Sequence, residues 1–265
     1  MLPVVRANTP PAILLSPFVN TNLVHRWLYD HAGILHGDLS PGNIMYRIIE
    51  DQIHGVLTDY DLACWKAALT TDGAKTSQQV TGTTPYMAQE LLKGTSPVHL
   101  YRHDVESLFY VMLVICGRHT IRRTRVGTGS ENTLRIVIRS GKLPYQDWFE
   151  ERDYVVGLLK GSFFFDWKDI ELSSSFEGFR MWLESLQWLF RRGFALKRGY
   201  GGVGVRSCTD ELAPFDDETL GGCIDHSTLI ELTRRLTGDL EGLVVRYDPL
   251  PYSFRTLPNP ILPSD

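Results

Sequence analysis

The chain has 265 residues, a net charge of −4 and 43% hydrophobic residues, a composition typical of a folded globular protein and not of a nucleic-acid binder with a basic face. Its longest apolar run, 108–116, is far too short to cross a bilayer. The four cysteines are scattered and form no CxxC pair, which excludes a zinc ribbon or a disulfide framework. We therefore expect an intracellular protein, in cytoplasm or nucleus, that binds neither nucleic acid nor membrane.

The first third of the chain predicts an extended segment, a helix and a hairpin. Residues 1–19 are interrupted by prolines and are predicted to be extended. Residues 21–32 carry apolar side chains at helical spacing, and Gly33 is placed to end that helix. The stretches 43–49 and 53–63 are apolar and β-branched, and the short polar link between them favours a β-hairpin.

The remaining elements are predicted to be mainly helical. Residues 64–84 are polar and predict a long loop, and 102–116 predict a helix with one apolar face and Gly117 after it. Further helices are predicted over 175–192 and 227–243. Each of these two begins at a possible capping box, Ser174 with Glu177 and Thr228 with Glu231. The predicted fold class is α+β, mainly α, with a short β-hairpin.

A glycine-rich, acidic loop is predicted over 198–222, between the last two helices. It contains GYGGVG at 199–204, which satisfies the G-x-G-x-x-G pattern of phosphate-binding loops. Because no clear strand precedes this match, we interpret it as an ordinary flexible loop. The last 18 residues contain five prolines and predict an unpacked tail.

The stretch ILHGDLSPGNIMYR, residues 34–47, carries the pattern HxD-x4-N on a predicted loop before a strand. Phosphoryl transfer needs a carboxylate near the attacking hydroxyl, ligands for Mg²⁺ and positive charge on the phosphates. In this pattern Asp38 orients the nucleophile and accepts its proton, while Asn43 binds magnesium. Asp59 follows the second strand of the predicted hairpin and is the expected second magnesium ligand. We expect His36 to pack beneath the loop.

Two later segments decide between kinds of phosphotransferase. GTTPYMAQELL, 82–92, resembles the G-T-x-x-Y-M-A-P-E segment that closes the activation loop of a protein kinase. HLYRHDVESLFYVMLVIC, 99–116, resembles the buried helix that follows that segment. The combination is similar to the fungal-type protein kinase family, closely over about 34–117 and more weakly to about 245.

This resemblance implies ATP and Mg²⁺ as cofactors and a protein substrate phosphorylated on Ser or Thr. It also implies that Glu90 pairs with a later arginine, for which Arg234 and Arg235 are the candidates. By this resemblance, Asp38 would be the catalytic base, and Asn43 and Asp59 would be the magnesium ligands. Thr83 would form a hydrogen bond with Asp38, and Asp104 would anchor the catalytic loop.

The same resemblance implies a domain organisation. Residues 20–247 would form the large, C-terminal lobe of a protein kinase-like fold, after an extended segment 1–19 and before a proline-rich tail 248–265. Within that lobe the catalytic loop would be 34–43 and the activation segment 59–90.

The sequence departs from the kinase pattern at five positions. The arginine usually found after the catalytic-loop histidine is Gly37, so switching by phosphorylation of the activation loop is not expected. The lysine usually found two residues after the catalytic aspartate is Ser40, which leaves less positive charge for the γ-phosphate. The D-F-G and A-P-E triplets are Asp59-Tyr60-Asp61 and Ala88-Gln89-Glu90.

The small lobe of a kinase normally supplies a glycine-rich loop, a strand lysine and a helix glutamate. Only 35 residues precede His36, and they contain no lysine and no glutamate. We therefore expect the N-terminal lobe to be missing, the chain to bind ATP poorly by itself, and a partner to cover the face around 43–62 that this lobe would occupy.

Two other functions remain open. The chain is a non-catalytic pseudokinase or interaction module if the uncovered face serves only to bind a partner. HGDLSPGN also suits a small-molecule phosphotransferase of the aminoglycoside or choline kinase type. That second alternative does not account for the kinase-like segments over 82–116.

Overall fold

The computed structural model describes residues 5–6, 21–22, 24–49, 52–66, 82–96, 98–125, 132–166, 169–202 and 214–237. These residues form a mainly helical α+β fold with small antiparallel sheets, as the sequence predicts. Apart from residues 5–6, the predictions for 1–19 and for the tail 248–265 lie outside the described residues. Within the described ranges, no helix combines the length and the apolar character needed to cross a membrane.

Seven strands and seven helices are used below. The strands are β1 Val5–Arg6, β2 Ile34–Leu35, β3 Ile44–Ile49, β4 Gln52–Leu57, β5 Cys64–Trp65, β6 His119–Arg125 and β7 Asn132–Ile138. The helices are α1 (residues 24–27 and the π-helix Leu28–Ala32), α2 Gln89–Leu92, α3 Tyr101–Arg118, α4 Asp147–Glu150, α5 Asp153–Phe165, α6 Arg180–Gly202 and α7 His226–Thr237. Two 3₁₀ turns lie at Thr84–Tyr86 and Ser174–Phe179.

The predicted end of the first helix and the predicted hairpin are both confirmed. Gly33 takes a left-handed φ of 64° and its N–H donates to the Leu28 carbonyl, which closes α1. Strands β3 and β4 pair antiparallel, with Ile44 opposite Leu57. The hairpin therefore begins directly after the predicted catalytic loop, and its second strand ends at Leu57 and not at the predicted residue 63.

Helix α3 is longer and more deeply buried than the sequence predicts. It spans Tyr101–Arg118, and every side chain from Tyr101 to Gly117 is buried, not only one face. Gly117 does not end the helix but lies inside it, where an added Cβ atom would come within 2.8 Å of the Glu171 carbonyl oxygen. The glycine is thus a packing residue, which allows a neighbouring segment to approach the helix closely.

Directly after α3 lies a sheet that the sequence predictions do not include, while the elements that follow it are helical, as predicted. In this sheet, β6 and β7 form an antiparallel pair, and β1 adds to β7 through Val5 opposite Leu134. The stretch LRIVI in β7 is rich in β-branched residues, which is the local signal for a strand.

The two predicted capping boxes are also wrong. The Glu177 side chain pairs with Arg180, and Ser174 begins a 3₁₀ turn that leads into α6. Helix α6 then continues to Gly202, so the predicted glycine-rich loop begins later than residue 198. At α7, Asp225 takes the capping role, because its carboxylate accepts the Thr228 N–H at 2.9 Å.

Aromatic rings join α3, α5 and α6 into one core. The ring of Phe109 on α3 lies 5.8 Å from Phe164 on α5, and Phe164 lies 5.3 Å from Phe190 on α6, measured between centroids. Large rings that interlock in this way bury much apolar surface and resist displacement. Helix α3 is therefore a fixed support for the polar side chains in its first two turns.

Candidate active site

The predicted catalytic loop, 34–43, is held at both ends by strand pairing and from below by apolar contacts. It leaves β2, which pairs with β5 through Leu35 opposite Cys64, and it enters β3. Between these strands, Leu39 is buried in a small cluster with Leu57 and Leu108. The loop backbone is thus packed directly against the hairpin and α3.

Asp104 anchors the loop as predicted. Its carboxylate accepts the backbone N–H of His36 at 2.8 Å and that of Gly37 at 3.2 Å. Burial by itself would raise the pKa of Asp104, but His99 and His25 together hold that pKa well below its usual range. The anchor is therefore a charged, hydrogen-bonded carboxylate inside the protein.

Asp38 is held on both of its carboxylate oxygens. Oδ1 accepts two bonds from Thr83, from the backbone N–H and from the hydroxyl, each at 2.9 Å. Oδ2 accepts the Asn43 side-chain amide at 3.1 Å, and the same amide donates to the Asp38 carbonyl oxygen at 2.9 Å. The hydrogen bond that the resemblance implies between Thr83 and Asp38 is thus present, and the carboxylate has a defined orientation.

Asp59 lies one residue beyond a direct link between the hairpin and the loop. The N–H and the hydroxyl of Thr58 donate to the Asn43 carbonyl oxygen at 3.0 and 3.2 Å. Asp59 is exposed and has a φ of 64°, a left-handed conformation that costs energy for any residue other than glycine. Such backbone strain is typical of functional positions, and here it follows directly on the residue that binds Asn43.

His36 packs beneath the loop, as predicted. It is buried, its Nδ1 accepts the Asp38 N–H at 3.3 Å, and its Nε2 donates to the Thr58 carbonyl oxygen at 3.1 Å. Burial lowers the pKa of this histidine. The Tyr60 ring lies against it at 4.9 Å. The imidazole thus links the loop to the end of the hairpin.

The backbone explains why position 37 carries glycine instead of arginine. Gly37 has a φ of 83°, and a Cβ atom there would lie 2.4 Å from the Leu62 carbonyl oxygen. Any side chain would therefore force the segment after Asp59 away from the catalytic loop.

The arginine that pairs with Glu90 is Arg102. Its guanidinium lies 2.5 Å from the Glu90 carboxylate and is fully buried, and Lys197 on α6 adds a second contact at 2.9 Å. Burial would raise the pKa of Glu90, but neighbouring His103, Arg102 and Lys197 together lower it. The side chains of Arg234 and Arg235, proposed from the sequence, lie outside the described residues.

Sequence reasoning missed a buried lysine beneath the segment that follows Thr83. Lys160 on α5 has no exposed surface, and its ammonium donates to the carbonyl oxygens of Thr84 at 3.2 Å and Met87 at 2.6 Å. The same ammonium lies 4.1 Å from the centroid of the Tyr110 ring. A single lysine inside the apolar run LLKGSFFF was the signal that could have indicated it.

The predicted magnesium ligands offer the right donor atoms. The side-chain nitrogen of Asn43 donates to Asp38, so the side-chain oxygen of Asn43 remains for a cation. The exposed carboxylate of Asp59 follows Thr58, which binds the Asn43 carbonyl oxygen. Magnesium in phosphotransferases commonly takes one or two carboxylates and few other protein ligands. In the described parts of the chain, no group of three or more His, Cys, Asp or Glu side chains is arranged to hold a metal ion. The predicted magnesium ligands are one amide and one carboxylate, so they would not form such a group.

GYGGVG does not lie in a loop along its whole length. Its first four residues, 199–202, form the end of α6, and 203–204 lie outside the described residues. Helical backbone donates its N–H groups within the helix, so these four residues do not form a cradle for phosphate.

An aspartate fixed by a threonine of a later segment, an asparagine five residues on, and an exposed aspartate after a hairpin are the residue types that phosphoryl transfer needs. The family model described as fungal protein kinase matches residues 3–116. This match confirms the resemblance that the motifs indicate, and it covers the loop, the hairpin and most of α3. It begins before the predicted limit of 34 and does not extend towards 245. No curated protein matches the chain.

Proposed function

We propose that this chain is the large lobe of a fungal-type protein kinase that transfers the γ-phosphoryl group of ATP to Ser or Thr hydroxyls of proteins. The observation that carries the proposal is the Asp38 carboxylate, held by Thr83 on one oxygen and by Asn43 on the other. Both partners come from segments with kinase-like sequence, and a carboxylate held in this way is ready to accept a hydroxyl proton.

In the proposed reaction, the substrate hydroxyl binds to Asp38, which aligns the oxygen with the γ-phosphorus and takes up its proton as the new P–O bond forms. The bond between the γ-phosphorus and the bridging oxygen breaks, and ADP leaves. Bound magnesium would be held by Asn43 and Asp59 and would neutralise charge on the phosphates. The main role of the protein is thus positioning.

The segment around the 3₁₀ turn Thr84–Tyr86 is the proposed contact surface for the protein substrate. It directly follows the threonine that binds Asp38, and Lys160 fixes it from below through two carbonyl oxygens. A small-molecule phosphotransferase would have no need for a fixed peptide-binding segment at this place. This favours a protein substrate over an aminoglycoside or choline.

ATP is expected to bind weakly to this chain alone. Residues 1–35 contain no lysine and no glutamate, so they offer no Lys–Glu pair to hold the α- and β-phosphates. Titration calorimetry with Mg-ATP measures this directly, and we expect a Kd well above the micromolar range. Micromolar affinity would contradict this part of the proposal.

Replacement of the proposed base tests the chemistry. We expect Asp38→Ala to lower turnover by roughly 10²–10⁴, the usual loss for a general base. Transfer of labelled phosphate from ATP is measured with a mixture of Ser/Thr peptides, with sugars and with choline as acceptors. Asp169→Asn, at an exposed carboxylate, is the matched control and should leave turnover unchanged.

Each outcome of this assay has a distinct meaning. Activity of Asp38→Ala within twofold of the unmodified chain would show that another group accepts the proton. Transfer to a sugar or to choline, but not to peptides, would identify a small-molecule phosphotransferase. Because we expect this chain to be weakly active or inactive by itself, the assay includes a complementing small lobe. Absence of any transfer in that mixture at saturating Mg-ATP would favour a non-catalytic interaction module.

A further inference from the structure

The carboxylate that anchors the catalytic loop is bound by more than the loop. Asp104 accepts four hydrogen bonds, two from loop N–H groups and two from imidazole rings. Oδ2 accepts His25 Nε2 at 2.7 Å together with the His36 N–H at 2.8 Å. Oδ1 accepts His99 Nε2 at 2.7 Å together with the Gly37 N–H at 3.2 Å. Each oxygen thus pairs one loop amide with one histidine.

The two histidines come from different parts of the chain. His25 lies on α1 and is buried, with its ring stacked on Tyr101 at 5.3 Å. His99 precedes α3, and its side chain is 18% exposed. Asp104 therefore joins the first helix, the start of α3 and the catalytic loop at one point.

The two histidines offset the cost of burying the Asp104 carboxylate. A fully buried carboxylate loses the water that would otherwise bind its oxygens, and partly satisfied buried charges are costly. If one imidazole were removed, the carboxylate oxygen that it binds would keep only the hydrogen bond from the loop amide. The carboxylate could then rotate or take up a proton, and a protonated oxygen accepts a hydrogen bond poorly. Either change loosens the amides of His36 and Gly37.

We propose that His25 and His99 are positioning residues for phosphoryl transfer, which act through Asp104 to hold the backbone directly before Asp38. They touch neither substrate nor phosphate. Their effect on the loop is independent of the proposed function, whereas their effect on turnover rests on it.

Paired variants separate hydrogen bonding from packing. His25→Phe and His99→Phe keep a ring of similar size but remove the N–H donor. His25→Gln and His99→Gln keep an N–H donor close to the position of Nε2 but remove the ring. His31→Phe, at an exposed histidine of the same helix as His25, is the control.

Hydrogen exchange of the amides of His36 and Gly37, followed by NMR, is the first measurement. We expect each Phe variant to accelerate exchange roughly tenfold, as the loss of a hydrogen bond to a charged group predicts. The Gln variants should stay within about threefold of the unmodified chain. Amides at the centre of α3 should be unchanged in all variants, which excludes a general loss of stability.

Steady-state kinetics is the second measurement. The Phe variants should lower kcat with little change in KM for ATP, and the Gln variants should restore it. Equal exchange rates in the Phe and Gln variants would overturn the inference, even if the chain is an active kinase. Absence of transfer in the unmodified chain with a complementing small lobe would count against the proposed function, while exchange would still decide the role of the histidines. If His25→Phe does not fold, His99→Phe decides by the same exchange measurement.

Discussion

At the scale of the residue, Gly37 shows how one position limits which side chains the predicted catalytic loop can carry. Gly37 has a left-handed φ, and a Cβ atom at this position would lie 2.4 Å from the Leu62 carbonyl oxygen, so the predicted catalytic loop and the segment after Asp59 are in close contact here. An arginine at this position could serve as a phosphate sensor only with a different backbone. The departure from the usual kinase pattern is therefore a structural requirement of this loop.

Gly37→Ala should destabilise the protein by at least about 2 kcal/mol, because strain at positive φ and the contact with Leu62 add together. Gly42→Ala is the matched control, since its Cβ atom would meet only the Ser40 hydroxyl at 3.7 Å. Denaturant unfolding measures both variants. Equal midpoints for the two would show that the loop shifts without cost.

At the scale of elements, the beginning of α3 connects the predicted catalytic loop, 34–43, with the end of the predicted activation segment, 59–90. Arg102 binds Glu90, Asp104 binds the loop, and the Glu106 carboxylate accepts the Gln89 N–H at 2.8 Å. These three side chains are buried and alternate along the first two turns of one helix. A shift of α3 would therefore move both segments together.

Arg102→Met keeps most of the buried volume but leaves Glu90 and Asp217 without their shared guanidinium. Breaking a buried ion pair on one side costs about 3–5 kcal/mol, and Lys197, which contacts both carboxylates, should bring the loss to the lower end of that range. Denaturant unfolding is the measurement. Arg122→Met, at an exposed residue of β6, should change stability by less than about 0.5 kcal/mol. Similar losses of stability for Arg102→Met and Arg122→Met would contradict a structural role for the cluster of Arg102, Glu90, Asp217 and Lys197.

At the scale of the whole molecule, we expect the half-buried Glu90 and the fully buried Asp104 to make the stability of the fold depend on acid. The pKa values of Glu90 and Asp104 are both lowered in the folded protein. Groups of this kind stabilise the fold fully above their unfolded pKa values of 4.5 and 3.8, and the stabilisation is lost as the pH falls towards the folded values. The protein should therefore lose stability on acidification below about pH 5.

Glu90→Gln tests this acid dependence. The variant should be less stable than the unmodified chain near neutral pH, and the difference should shrink as the pH falls from about 5 to 3, because glutamine has no proton to bind. Thermal unfolding across this range measures the difference. Glu184→Gln, at an exposed position on α6, is the control. A difference that is constant with pH would show that the charge of Glu90 is not what stabilises the fold.

The sequence by itself determined the local part of this protein. The helix that ends at Gly33, the hairpin after the loop, and the order of Asp38, Asn43, Asp59 and Asp104 follow from patterns within short windows, because periodicity and turn chemistry act over a few residues. Where local signals compete, the predictions failed: the β6–β7 pair and the true length of α6 depend on what those segments pack against.

Only the tertiary structure decided the partners. His25 meets Asp104 across 79 residues, and Lys197 meets Glu90 across 107. No local pattern specifies such pairs, because they depend on how α1 packs against α3 and how α2 packs against α6. The sequence motif indicates which residues can perform the chemistry. The long-range packing determines which other side chains hold those residues in place.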